Sequence, residues 1–148
     1  MVSHSKSKVY FFFQQKGFSL RNRSYLKKII EYLFKNEGKR LNQISYIFCS
    51  DEQLLLLNKK YLNRNYYTDI ITFDLSENKH SIRGDSYISI NRTKDNARHL
   101  GIPFQFEICR IIFHGALHLC GYSDKHKKDL LTMRKREEFY LSLFFKHP

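Results

Sequence analysis

Residues 103–124 run Pro-Phe-Gln-Phe-Glu-Ile-Cys-Arg-Ile-Ile-Phe-His-Gly-Ala-Leu-His-Leu-Cys-Gly-Tyr-Ser-Asp. Pro103 suits the first turn of a helix, where its missing N–H costs nothing. Phe106, Ile108, Cys109, Ile111, Ile112, Phe113, Ala116, Leu117 and Leu119 then make the helix apolar nearly all round, as expected of a helix in the middle of a domain. His114 and His118 stand four residues apart on that helix, so both lie on one face, a turn apart. A buried histidine needs a polar partner, and leaving one unpaired costs about 1–3 kcal/mol. One shared metal ion satisfies two. Gly121 breaks the helix, and Asp124 follows six residues after His118. Three protein ligands plus one open position for water is the layout of a catalytic zinc site, whereas structural zinc sites are closed by four.

The rest of the chain supplies a frame for that helix. Val9–Phe13 reads as a short buried strand. Arg23 to about Asn36 reads as a helix, with the pairs Tyr25/Leu26, Ile29/Ile30 and Leu33/Phe34 at helical spacing and Gly38 as a stop. Leu41–Cys49 alternates through Ile44, Tyr46 and Phe48 as a second strand. Ser50-Asp51-Glu52-Gln53 is a capping box opening a helix with a Leu54, Leu57, Tyr61 stripe. Thr68–Leu75 and Gly84–Ile90 read as strands joined by the polar loop Ser76–Arg83, either as an antiparallel pair or through a longer crossover. Asn91 can cap a short helix ending before Gly101. Lys125 to about Phe145 is a last helix, with Leu130, Met133, Tyr140, Leu141 and Phe144 as its contacts. The order β-α-β-α-β-β-α-α-α predicts an α+β (mixed α/β) fold, with a small mixed sheet of about four strands packed with helices around the buried metal-bearing helix.

Composition sets the limits. A chain of 148 residues suits one domain, 1–148, with 42% apolar and 16% aromatic residues to fill a core. Cys49, Cys109 and Cys120 read as buried reduced thiols, which points to the cytoplasm. No segment is apolar and long enough to cross a membrane, and Val9–Phe13 is too short for a signal-peptide core. The formal charge of +12 favours a polyanionic partner, nucleic acid above all. Codon bias in an AT-rich genome gives the same abundance of lysine, so the charge gains meaning only beside a hydrolytic site.

The run His114-Gly115-x-Leu117-His118-Leu119-x-Gly121-Tyr122 resembles the signature of the YbeY-type rRNA maturation endoribonucleases, a family of metal-dependent hydrolases. Leu57-Asn58, Tyr61, Thr68-Asp69-Ile70-Ile71-Thr72-Phe73 and Gly84-Asp85 are similar to further blocks of that family. Together they cover roughly residues 50 to 126. The resemblance implies a zincin-like hydrolase fold with one Zn2+ per chain. It implies cleavage of single-stranded RNA in ribosomal RNA maturation, at the 3′ end of 16S rRNA, with the small ribosomal subunit as partner.

Two positions depart from the family pattern. The usual third ligand is a histidine; here Asp124 holds that position, and His126, two residues on, is the alternative. The favoured metal set is His114, His118 and Asp124, with the catalytic water at the open position. An Asp ligand leaves the metal less positive than a third imidazole does, and so a weaker Lewis acid. Asp124 can instead cap the last helix. The family's arginine after the residue matching Tyr61 is replaced by Leu62, and Arg64 is the candidate phosphate contact, with a solvated surface charge as its alternative.

Other residues carry weaker signals. Glu107 falls on the stripe of His114 and is a candidate partner for it, with a surface or helix-start carboxylate as the plainer alternative. Asp69 and Asp85 read as turn or cap residues that can also orient the site. Cys120 reads as core and Tyr122 as packing beneath the loop. Lys125, Lys127, Lys128, Arg134, Lys135 and Arg136 form a basic cluster suited to RNA or to a solvated face.

Three functions remain open on sequence alone: an RNA hydrolase, a ribosome-associated RNA-binding factor with a structural metal, and a metallopeptidase-like hydrolase. Gly115 counts against the last, because the His-Glu-x-x-His peptidases place their general base there. The metal itself is open, since two imidazoles and a carboxylate suit other divalent ions.

Overall fold

The structure, a computed structural model, describes residues 7–64 and 68–146. Nine elements follow in order: β1 (Val9–Phe13), α1 (Arg23–Asn36), β2 (Arg40–Cys49), α2 (Asp51–Leu62), β3 (Ile70–Asp74), β4 (Ser81–Ser89), α3 (Ile90–Leu100), α4 (Phe104–Leu119) and α5 (Lys127–Phe145). The strands form one mixed sheet in the order β1-β2-β4-β3. The β1–β2 and β2–β4 pairs are parallel, and β3 lies antiparallel to β4. A parallel neighbour needs a crossover; α1 supplies the first, and α2 with β3 the second.

Strand periodicity divides the sheet into two faces. Val9, Ile44, Tyr46, Phe48, Ile82 and Ile88 face the main core, which they share with α1, α4 and α5. Cys49, Leu54 and Ile71 form a smaller cluster on the other face under α2. The helix α4 is the centre of the main core, and Ile108, Ile112, Phe113, Ala116 and Leu117 are each fully buried. The buried Tyr46 hydroxyl donates to the Ile112 carbonyl at 3.0 Å, which ties that helix to β2.

Two glycines bring α4 against the sheet. A Cβ at Gly115 would stand 2.8 Å from Ser86 Oγ, 2.9 Å from Ile70 Cδ1 and 3.2 Å from Thr72 Oγ1. A Cβ at Gly84 would meet Leu119 Cδ1 at 2.7 Å and the Phe73 carbonyl at 3.0 Å. The residue after His114 is therefore glycine because the sheet surface is there.

Several local expectations are corrected. Asn91 does not cap α3: Ser89 does, accepting from the Arg92 N–H at 3.0 Å, while Asn91 Oδ1 accepts from the Asp51 N–H. Pro103 is the N-cap of α4 and not a first-turn residue. On α2 the buried partner of Leu54 is Asn58; Tyr61 is 58% exposed and rests edge-on against the Phe73 ring. Leu130 is also exposed, at 36%. The strand β3 begins at Ile70, because Thr68 and Asp69 lie outside the ladder. The strand β4 begins earlier than Gly84, at Ser81. The Asp74 carboxylate accepts from Ser76 N–H, and the Asn78 amide oxygen from His80 and Ser81 N–H, so the turn closes early. Cys120 is only partly buried. Among the described residues, no helix is long and apolar enough to cross a membrane.

Candidate metal centre

The final turns of α4 present His114 and His118 to one cleft. The helix stops at Cys120, and Gly121, at φ 106°, reverses the chain. Tyr122 N–H closes the reversal by donating to the Leu117 carbonyl at 3.1 Å. That turn carries Asp124 back over His114, and the Asp124 carboxylate comes to 3.2 Å from His114 Nε2.

The other nitrogen of His114 fixes the ring. His114 Nδ1 lies 2.7 Å from the Glu137 carboxylate on α5. Burial alone would raise the Glu137 pKa, but the hydrogen bond from His114 and the guanidinium groups of Arg110 and Arg134 lower it below the ordinary carboxylate value. An ionised carboxylate has no proton to give, so Nδ1 is the donor. The Nε2 lone pair is then the one aimed at the cleft and Asp124.

Glu137 sits in a charged lattice. It accepts from Arg110 Nη1 at 3.2 Å and from Arg134 Nη1 at 2.8 Å. Arg110 also makes a two-point contact with Glu107, at 2.7 and 2.8 Å. Asn96 bridges Glu107 to Asp69, with both contacts at 3.2 Å. Glu107 is thus neither at the surface nor the partner of His114. It is fully buried, and it braces Arg110, which in turn faces Glu137. Nothing in the spacing of residues marks Glu137, which lies on a helix of mixed charge; only the crossing of α4 and α5 brings it to His114.

The cleft has a volume of ≈ 490 Å³ and runs between α4, the edge strand β3, and the chain that leaves α2. His114, His118 and Asp124 line it, as does Asp69. Arg64 lines it too, on the wall that also carries Leu62, the position where a family arginine is expected. Lys125 and Arg134 complete the cationic lining of that cleft beside Arg110. His126 does not line it; its backbone forms the N-cap of α5, the place that Asp124 would take as a cap residue. Arg136 points elsewhere, to Glu37 and the Tyr122 hydroxyl, so Tyr122 is held as packing. Asp85 is on the opposite face of the sheet, where burial raises its pKa against the pull of Arg83.

As placed, no group of three His, Cys, Asp or Glu side chains among the described residues encloses an ion. His114 Nε2 and the Asp124 carboxylate stand 3.2 Å apart, and His118, a turn away on the same cleft wall, is exposed and not buried as the apolar run around it suggests. The donor chemistry nevertheless suits a divalent metal. One imidazole has its tautomer fixed by a buried carboxylate, a second shares its helix face, and a carboxylate stands opposite. Cys120 contributes nothing to this set. Its thiol packs against the main core, and burial, with Glu37 nearby, pushes its pKa up to about 12.

The family model for endoribonuclease YbeY matches residues 11–144, well upstream of the motif blocks. An endoribonuclease YbeY from Cytophaga hutchinsonii is 44% identical over 135 residues, which span 91% of this chain and 94% of the relative. One from Karelsulcia muelleri is 42% identical over 130 residues, spanning 88% and 92%. The solution structure of TM1509 from Thermotoga maritima superposes with a TM-score of 0.66 at 25% identity, covering 93% of this chain and 89% of that one. With the family model and these relatives matching nearly its whole length, the chain belongs to the endoribonuclease YbeY family of RNA-cleaving hydrolases.

Proposed function

We propose that this protein is a zinc-dependent endoribonuclease specific for single-stranded RNA, acting in the cytoplasm on ribosomal RNA. Its target in this reading is the 3′ end of 16S rRNA on the small ribosomal subunit. The observation that carries the reading is the pairing at His114: Nδ1 committed to a buried carboxylate, Nε2 facing Asp124 inside a cation-walled cleft. The zincin-like part of the reading rests on α4, which bears His114 and His118 while seated on the sheet.

His114, His118 and Asp124 would hold the ion. When bound, zinc acidifies water and polarises a phosphoryl oxygen. The chain does the rest. Glu137 holds the His114 ring and keeps its proton on Nδ1. Arg64, Lys125 and Arg134 offer cations to the phosphates flanking the scissile bond and offset charge as it develops. Arg110 is spent on Glu107 and Glu137, so its role is to keep Glu137 ionised. A cleft of ≈ 490 Å³ has the scale of a small-molecule site. Gly115 lies against the sheet and offers no carboxylate, so the peptidase mechanism lacks its base.

The test is cleavage of a labelled single-stranded rRNA fragment by zinc-loaded protein, with the same sequence as a duplex for control. Cutting of the single strand alone, lost in His114→Ala, supports the proposal. Intact RNA with metal-loaded wild type overturns it.

A further inference from the structure

A second groove, of ≈ 770 Å³, lies between α1 and the starts of β1 and β2. Lys8, Lys27, Lys28, Lys35, Lys39 and Arg40 line it. Among the described residues, none of these six takes part in an ion pair. The groove has one carboxylate, Glu31, and it is turned to other work. It accepts from the Ser7 hydroxyl at 3.1 Å and the Lys8 N–H at 3.0 Å. Lys27 Nζ lies 5.3 Å from the centre of the Phe11 ring, which leaves its positive charge unneutralised.

Gathering like charges costs free energy, and a bound polyanion removes that cost by displacing counterions. Lys27 and Lys35 are eight residues apart on one helix face, about 12 Å along its axis. That is a row of cations and not a point site. The groove borders edge strand β1, whereas the catalytic cleft borders edge strand β3, and the two share no residue. The sheet between those edges is about 14 Å wide. Among the described residues that line it, Leu41 alone is apolar and it is buried, so they offer no apolar face to insert into a bilayer.

We infer that this groove binds the sugar-phosphate backbone of the RNA substrate, outside the segment held in the catalytic cleft. The inference rests on the endoribonuclease reading for its choice of polyanion. It makes the chain a two-site RNA binder, with the cleft holding the reacting nucleotides and the groove anchoring the flanking strand.

The experiment measures binding of a single strand of about 20 nucleotides, its integrity checked on a denaturing gel, across a salt series, where each lost phosphate contact flattens the slope of log K against log salt by about 0.7. The full chain is compared with Lys27→Gln/Lys35→Gln and with a charge-matched control, Lys16→Gln/Lys146→Gln. The groove variant should flatten the slope by about 1.4 and bind several-fold more weakly, while the control matches wild type. Equal slopes in the two variants overturn the inference. So does unchanged RNA binding alongside lost binding to phosphatidylserine vesicles, which would make the groove a lipid site. Because binding is scored on intact strand alone, a failure of the nuclease reading shows separately, as wild type that leaves RNA uncut in the cleavage assay.

Discussion

Glu137 accepts the Nδ1 hydrogen of His114 at 2.7 Å, across 23 positions of sequence and between two different helices. The contact sets the tautomer of the residue on which the proposed metal set depends. Glu137→Gln keeps an acceptor of similar size but removes the charge that Arg110 and Arg134 also face. Loss of such an outer partner weakens metal binding by about 10–100-fold. Competition with a chromophoric chelator reads the affinity directly. An unchanged affinity would mean that Glu137 serves packing alone.

Gly115→Ala is predicted to destabilise the fold. Alanine improves helix propensity by about 1 kcal/mol. Against that, overpacking costs about 1–3 kcal/mol. The two hydroxyls that the new methyl meets are bonded to each other, Thr72 to Ser86 at 2.9 Å, so neither yields freely. The steric term therefore wins, and the urea midpoint falls. A midpoint at or above wild type would show that α4 can lift off the sheet at little cost.

Tyr122→Phe tests the support beneath the Asp124 turn. The Glu37 carboxylate accepts from Tyr122 at 2.6 Å, from the Tyr140 hydroxyl and from Arg136. Hydrogen bonds to charged groups contribute about 1.5–3 kcal/mol, and Tyr122, partly exposed, belongs at the lower end. Equilibrium denaturation should show that loss, and an unchanged curve would place the support elsewhere.

Buried thiols give the fold an alkaline limit. Burial, with Asp51 adding to it, pushes Cys49 up to about 11, and burial pushes Cys109 up to about 12. Unfolded, both titrate near 9.0. Above that pH the unfolded chain releases protons that the native chain retains. The proton-count difference then makes unfolding more favourable, so stability falls as pH rises from 9.0 towards 12. A Cys49→Ala/Cys109→Ala variant should lose less stability over that range. At neutral pH both thiols should resist iodoacetamide until urea is added.

Much of this was legible in the sequence, for reasons that particular residues make plain. Strand β1 and helix α1 end where the pattern says they end, because polar residues bound a short aromatic run and Gly38 stops a strongly periodic one, but β1 is not the buried strand expected: it lies at the sheet edge with Val9 alone buried. The Ser50–Gln53 capping box is local chemistry and forms as written. The errors came where tertiary contacts decide. Tyr61 belongs to the helical stripe by spacing, yet it lies beyond the small core under α2 and stays exposed beside Phe73. Ser89 and Asn91 both suit a cap, and pairing of β4 through Ser89 chose between them. Glu107 and Glu137 are both buried acids near α4. Sequence spacing singled out Glu107, but the crossing angle of α5 gave the histidine to Glu137. Arg64 replaces no motif position, and only the path of the chain past Leu62 brings it to the cleft.

The most direct test of the proposed centre is bound zinc by elemental analysis, on wild type, Asp124→Ala and His126→Ala purified without added metal. The account predicts zinc in wild type and in His126→Ala, and its loss in Asp124→Ala. Zinc retained in Asp124→Ala but lost in His126→Ala would contradict it.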